Sequence, residues 1–444
     1  MAAWRMKIIC AYPANIDAVC TISGEMLSRM IPAGRDFKIE LKPSIKSRED
    51  LLSSLLYCMK QGSGAEVLIE DRGAALQIGS DEAFSWRFRL GGNAAIMASV
   101  LAALGAEPVL NAPALSTSLA GLLHPQVRLP WNGSLLDPCR AAWAKRADRV
   151  EEMVHFVFQF QEGEAVAAGK AEFLVPQANR FIATYDPVNS RLLTSPDFDS
   201  YCTDNIKRIA GALVSGYHLC PESQRADAFA RSAAQITSWR QRNPGLFIHA
   251  EMGSISSAST MNSLLMRLSR IPVDSVGLNE DEIAVAQQED PALPAEWPHF
   301  LRSAEGLRRR LGIFRVAVHT RDFILSVMKV GRISPLAELS ALQSGTDAAA
   351  SLAATGSPAG EIADPFARVS SAGRQALQML CQMDGSTKSG RGVYLISGDL
   401  MVSLMPSLLV REPKFTVGLG DTATAAIFLR ELSVINYSLQ QIES

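Results

Sequence analysis

The sequence carries no Cys-x-x-Cys pair, no long apolar run and no marked excess of charge of either sign. Its seven cysteines are scattered from Cys10 to Cys381. That spacing argues against a zinc ribbon or a disulfide framework and predicts free, mostly buried thiols in a reducing compartment. Lys and Arg number 43 against 45 Asp and Glu, a formal net charge of −2. Neither nucleic acid nor an anionic membrane surface is therefore an expected partner. The most apolar stretch, Ala94 to Leu104, is too short and too alanine-rich to span a bilayer. The N-terminal apolar run Ile8 to Ala11 is too short for a signal peptide and reads as a first buried strand. The expectation is a cytoplasmic protein, a monomer or small homo-oligomer.

What is present is ample core. The chain has 444 residues, of which 48% are hydrophobic. That length predicts more than one domain, or one large domain with an appendage. Short apolar runs bounded by turn residues read as buried parallel strands: Lys7–Ala11, Ala212–Ser215, Leu246–Ala250, Ser275–Leu278, Arg315–His319 and Gly392–Ile396. Helical patterns lie between them, at Glu222–Arg240, Ser257–Arg270, Asp281–Gln288, Phe300–Leu311 and Ala423–Leu432. This alternation predicts an open α/β sheet covered on both faces.

Two regions break the rhythm. Lys38–Asp71 mixes charged strand-like and helical pieces, while Val154–Phe160 and Arg180–Thr184 alternate like half-exposed strands. They predict a smaller lid made by two excursions, residues 21–84 and 146–194. The large domain then takes residues 1–20, 85–145 and 195–444. In Gln343–Gly360 the first half suits an alanine-rich helix and the second half a loop.

The strongest motif is Val417-Gly418-Leu419-Gly420-Asp421-Thr422, with a helix expected to start at Asp421 or Thr422. Glycines just before a helix leave backbone N–H groups unobstructed, and with the helix dipole they make an anion site. A carboxylate at that place, Asp421, can take the proton of an attacking hydroxyl. The bland alternative is a capped glycine turn. Asn15 and Asp17 follow the first strand with one residue between them. In extended chain both point to one side, suited to vicinal hydroxyls, or else they form an Asx turn. Gly91-Gly92-Asn93 opens another helix and permits close approach of a ligand, with Asn93 as a possible N-cap.

Two acidic motifs end strands in mid-chain. His249-Ala250-Glu251 and Asn279-Glu280-Asp281-Glu282 each place a carboxylate where a phosphate–magnesium unit would sit, acting through its water shell. Asn279 and Glu282 also fit a capping box. His319 ends a strand and either borders a nucleotide or is structural, and His218 carries the same two readings.

The order of these motifs is specific. Asn15-x-Asp17, Gly91-Gly92-Asn93-Ala94, Asn179-Arg180-Phe181-Ile182, His249-x-Glu251, Asn279-x-x-Glu282 and Gly418-x-Gly420-Asp421 together resemble the ADP-dependent sugar kinases, the ADP-specific phosphofructokinases and glucokinases of the ribokinase superfamily. The resemblance covers essentially the whole chain and is closest in Pro406–Thr422. It implies a ribokinase-like α/β fold: a large Rossmann-like domain with a mostly parallel sheet flanked by helices, plus a small α/β lid. It implies Asp421 as the base and the amides of Gly418, Leu419, Gly420 and Asp421 as the anion hole. Asn15, Asp17, Gly92 and Asn93 would contact the sugar. Arg180 would reach the nucleotide phosphates, with His319 beside the nucleotide. Glu251, Asn279 and Glu282 would organise Mg2+ or another divalent cation through water. ADP would be the phosphoryl donor and AMP the leaving product.

The chain also departs from the family pattern. Tyr12-Pro13-Ala14 replaces the usual Gly/Asn-containing run before Asn15. Phe158 to Gly163 offers no basic residue for a sugar phosphate, and Glu162 disfavours an anionic substrate. The acceptor stays open between fructose 6-phosphate, glucose and another polyol. Two other readings remain: an ATP-dependent ribokinase-type kinase of another polyol, and a non-catalytic nucleotide- or sugar-binding member.

Overall fold

The computed structural model describes residues 5–253, 255, 257–289, 297–360 and 367–442. Its centre is a ten-stranded sheet. From one edge run Glu107–Leu110, Lys7–Ala11, Gly211–Val214, Phe247–Glu251, Ser275–Asn279 and Arg315–His319, each parallel to its neighbour. Phe323–Lys329, Leu400–Pro406, Gly392–Ser397 and Ser386–Ser389 continue the sheet antiparallel.

The parallel strands are near-continuous apolar runs because both of their faces are covered. On Lys7–Ala11, Ile8 and Cys10 join a core with Leu213, Phe247 and Phe428. Ile9 and Ala11 join a second core with Ile248, Trp239 and Leu264. Alternate residues of a strand point to opposite faces, so one strand feeds both layers. Helices Asn93–Ala103 and Leu419–Ile442 cover the first face. Glu222–Arg242, Ala258–Leu268 and Trp297–Leu311 cover the second.

Two sequence expectations need correction here. Gly392–Ser397 is a strand but antiparallel, because two-residue links join it to both neighbours and a parallel pair needs a long crossover. The helix Pro335–Thr355 reaches well past the middle of Gln343–Gly360 and stops at Gly356, where φ is 84°. Packing against Leu419–Ile442 sustains it: a Cβ at Gly345 would lie 2.6 Å from Ile427 Cγ1, so small residues let the two helices approach closely.

A second, five-stranded sheet has the order Ala65–Leu68, Asn179–Tyr185, Val154–Phe160, Asn15–Thr21, Arg87–Gly91. Phe158, Phe181 and Ala18 pack there against Leu51 and Leu55 of helix Arg48–Gln61. Asn15–Thr21 and Arg87–Gly91 pair into this sheet, although the sequence division assigns nearly all of their residues to the large domain. Tyr12 to Ala14 alone separate Lys7–Ala11 of the large sheet from Asn15–Thr21 of the small one. Gly92 alone separates Arg87–Gly91 from helix Asn93–Ala103. These tight crossings hold the two sheets together at one place. All seven cysteines are free and five are buried. No helix among the described residues is long and apolar enough to cross a membrane.

Candidate active site

Between the two sheets, beyond the carboxyl ends of the parallel strands, lies a cavity of about 240 Å3. Open α/β sheets bind ligands at this position. Asn15, Asp17, Gly92, Asn93, Arg180, Glu251, Asn279, Glu282, His319, Gly418, Gly420 and Asp421 all line it. Leu419 lines an adjoining cavity of about 410 Å3 instead, and Asn279, His319 and Gly420 border both spaces.

The helix of the glycine motif starts at Leu419, two or three residues earlier than expected. Gly418 stands before it with φ 76°, a conformation glycine adopts without a Cβ penalty. Gly418 O receives the Thr422 N–H at 3.0 Å and the Thr422 hydroxyl at 2.7 Å. The first helical N–H groups, at Leu419 to Asp421, have no partner inside the helix and concentrate its positive dipole end. Asp421 therefore sits in the first turn rather than capping it. Its carboxylate accepts from Asn93 Nδ2 at 2.8 Å. Burial pushes its pKa up to about 7, with Asn93 pulling against the rise. A buried carboxylate that titrates near neutrality suits general-base work.

Asn93 is not an N-cap. Gly92 occupies that position, with φ 81°, and Asn93 is the first helical residue. A Cβ on Gly92 would lie 2.6 Å from Pro13 O and 2.7 Å from Asn15 Oδ1, which explains the glycine at this crossing.

Glu251 is buried and fully engaged. Its Oε1 lies 2.6 Å from His319 Nε2, and its Oε2 lies 2.8 Å from His249 Nε2 and 3.1 Å from Thr424 Oγ1. Burial alone would raise its pKa, but His319 and His249 outweigh it and bring it down to about 2. Burial pulls His319 down, yet Glu251 overcomes this and holds it up at about 9.

Asn279 and Glu282 form the expected capping box of helix Glu280–Ala286. Glu282 Oε2 accepts from Asn279 N at 2.9 Å, and its Oε1 accepts from Asn279 Nδ2 at 3.0 Å. Burial pushes Glu282 up to about 8, against the Asn279 N–H. Among the described residues no cluster of three or more His, Cys, Asp or Glu side chains can hold a metal ion. Glu251 and Glu282 already have both oxygens occupied, so they do not make a direct cage. They do fit an outer-shell role, because magnesium keeps several of its waters when carboxylates are few.

The small sheet supplies the opposite wall. Asn15 and Asp17 lie in strand Asn15–Thr21, not in an Asx turn, and Asn15 Nδ2 donates to Asp17 Oδ1 at 2.9 Å. Burial raises Asp17 to about 6, with His155 and Asn15 opposing. Glu66 and His155 also face the cavity, and the sequence reading missed both. His155 Nε2 lies 3.1 Å from Asp186 Oδ2, and Thr184 Oγ1 donates to Glu66 Oε1 at 2.6 Å. Burial would lower the His155 pKa, but Asp186 and Glu66 outweigh it and hold it at about 9. The available signal was a polar side chain interrupting an apolar strand, as His155 does in Val154–Phe160. His218 lines the cavity too, and its buried Nδ1 has no partner among the described residues. Arg180 is exposed on the rim and forms no ion pair among the described residues.

The adjoining cavity was also missed. Ala349, Ala350 and Ala353 of helix Pro335–Thr355 face Leu408–Val410 across it, and it opens toward Gly420. It is a largely apolar slot next to the helix start at Leu419.

A carboxylate poised near neutrality beside the free amides of a helix start, with an apolar slot next to them, is an arrangement that small-molecule phosphoryl transfer can use. Comparison with known proteins makes the assignment specific. A family model described as the ADP-specific phosphofructokinase/glucokinase conserved region matches residues 6–430. The chain belongs to this family and is a phosphotransferase. It is 28% identical to an ADP-dependent glucose/glucosamine kinase of Pyrococcus abyssi over 457 residues, covering 96% of this chain and 94% of the relative. It is also 28% identical to an ADP-specific phosphofructokinase of the same organism, covering 97% and 98%. A solved ADP-dependent kinase, in complex with fructose-6-phosphate and ADPβS, shares the fold with a TM-score of 0.78. Its identity is 23%, over 97% of this chain and 94% of that one.

Proposed function

We propose that the protein transfers the β-phosphoryl group of ADP to a hydroxyl of a neutral hexose, of which glucose is the simplest, and releases AMP. The observation that carries this reading is the Asn93-held Asp421 carboxylate in the first turn of helix Leu419–Ile442, facing the polar wall of the small sheet. The nucleoside would occupy the slot beside Leu408–Val410, placing the diphosphate at the Gly418–Asp421 amides. Arg180 would close onto the phosphates from the rim. Asp421 accepts the proton of the attacking hydroxyl as the O–P bond forms, while the helix-start amides stabilise the charge on the transferring group. Glu251, Asn279 and Glu282 would hold the water shell of a divalent cation, which supplies charge neutralisation at the diphosphate when bound.

The acceptor assignment rests on charge. At the sugar end the cavity presents Asn15, Asp17, Glu66 and His155, and His155 is already balanced by Asp186 and Glu66. His319 is balanced by Glu251. Among the described residues that line this cavity Arg180 is the one Arg or Lys, and the nucleotide has first claim on it. A sugar phosphate would bring a second anion toward carboxylates, whereas neutral hydroxyls bind there as hydrogen-bond donors. The five-stranded sheet with residues 15–21 and 87–91 acts in this reading as a lid that excludes water.

The test is AMP release from ADP and magnesium against glucose, fructose 6-phosphate and other sugars. AMP with glucose and not with the phosphosugar is the expected result. Turnover with fructose 6-phosphate only would reverse the acceptor assignment, and ADP formed from ATP without any AMP from ADP would reverse the donor.

A further inference from the structure

Glu251 faces the cavity with its orientation set from behind, through three neighbouring strands. His249 pairs in register with Ser275, and Ser275 with Arg315. His249 Nδ1 lies 2.9 Å from Ser275 Oγ, and Arg315 Nε donates to the same oxygen at 2.8 Å. On its other side the His249 ring meets Glu251 Oε2 at 2.8 Å. His249, Ser275 and Arg315 are all at most 1% exposed.

The direction of every bond in this chain follows from what each group can do. A guanidinium has donors and no acceptor, so the Ser275 oxygen must accept from Arg315. His249 Nδ1 is the one acceptor within reach of the Ser275 hydroxyl proton among the described residues. With Nδ1 accepting from Ser275, the ring carries one proton and not two. Its single proton then lies on Nε2 and points at Glu251. The opposite tautomer would set a nitrogen lone pair against a carboxylate oxygen at 2.8 Å. Arg315 is itself fixed between the buried carboxylates of Glu338 and Glu431. Glu431 belongs to helix Leu419–Ile442, the helix whose first turn carries Asp421. The network therefore ties the Glu251 carboxylate to the element that bears the candidate base.

We infer that Ser275 and Arg315 are positioning residues: they select the Nε2–H tautomer of His249, and that ring turns Glu251 toward the diphosphate end of the cavity. The consequence for turnover rests on the function proposed above, while the tautomer itself does not. Loss of such an outer partner typically costs about 10–100-fold in activity or metal affinity.

The test uses the full chain labelled with 15N-histidine, whose six histidines make the spectrum tractable. His249 is assigned by its loss in His249→Gln. The expected wild-type spectrum has His249 protonated at Nε2 and bare at Nδ1, and a proton on Nδ1 would overturn the inference without any variant. Ser275→Ala takes the donor from Nδ1 while Glu251 still holds the proton on Nε2, so it should shift the Nδ1 resonance downfield and lower kcat about 10–100-fold with little change in KM for ADP. Ser275→Thr, which restores the hydroxyl, should recover both. Wild-type kcat in Ser275→Ala, or an Nδ1 resonance that does not move there, would also overturn it. A wild-type protein that releases no AMP yet shows the Nε2–H signal would count against the proposed function alone.

Discussion

The side-chain amide of Asn93 donates to the carboxylate of Asp421 at 2.8 Å, joining residues 328 positions apart. Each stands in the first turn of its own helix, Asn93–Ala103 and Leu419–Ile442. The bond fixes Asp421 in space, and it favours the charged carboxylate that burial disfavours. Several properties of the site depend on that balance.

Asp421→Asn keeps the size of the side chain and removes the base. We expect kcat to fall about 10²–10⁴-fold, the usual range for general-base catalysis, with ADP binding retained. Calorimetric titration with ADP beside steady-state kinetics separates the two. Near-normal turnover would remove Asp421 from the role.

The pH profile carries a sign. With Asp421 held at about 7, the active anion is lost as pH falls, so kcat/KM should drop about tenfold per unit below that point. Asn93 lowers this pKa, and Asn93→Ala should therefore move the acidic limb to higher pH. A limb that stays in place in Asn93→Ala would break the link between the bond and the titration.

Arg180→Gln removes a cation from the cavity rim. A charge-assisted hydrogen bond is worth about 1.5–3 kcal/mol, so KM for ADP should rise about 10–100-fold. Glucose binding measured without nucleotide should be unchanged.

Glu282→Gln retains an acceptor for the Asn279 N–H, so the capping box and the thermal midpoint should largely persist. With Glu282 held up at about 8, the charge is present only above that pH, and there its removal should shift the magnesium dependence of turnover to higher concentration. Chelation of divalent cations should abolish turnover in both proteins. An unchanged magnesium titration in Glu282→Gln would exclude the outer-shell role.

His155 contributes a stability term with a defined direction. Its folded pKa, about 9, exceeds the unfolded value near 6.5. The protonated pair with Asp186 thus stabilises fully below the unfolded value, and that contribution is lost as pH rises through about 9. Asp186→Asn should lower the thermal midpoint at pH 7, and the gap to wild type should narrow above pH 9. A constant gap across that range would refute it.

Much of the site was legible in the sequence because its motifs sit where short runs meet structural boundaries. Glu251, Asn279 and His319 each end a buried apolar strand, and an apolar run is visible without any partner. Gly418 and Gly420 announce a helix start because few other residues leave the backbone so open. Glu66, His155 and the slot beside Leu408–Val410 carried no such mark. Their meeting depends on the pairing of strands far apart in sequence, such as Asn179–Tyr185 with Ala65–Leu68. Local pattern does not encode which strand lies beside which.

The sequence by itself determined the covered parallel sheet and the glycine-flanked helix start that carries Asp421, since both follow from local periodicity and backbone freedom. Only the tertiary structure decided that Asn15–Thr21 and Arg87–Gly91 belong to the small sheet, that Asn93 reaches Asp421, and that Arg315 lies behind Glu251. Those are relations between distant segments. They are fixed by the burial of two sheets against their helices and by the need of each enclosed polar group for a partner.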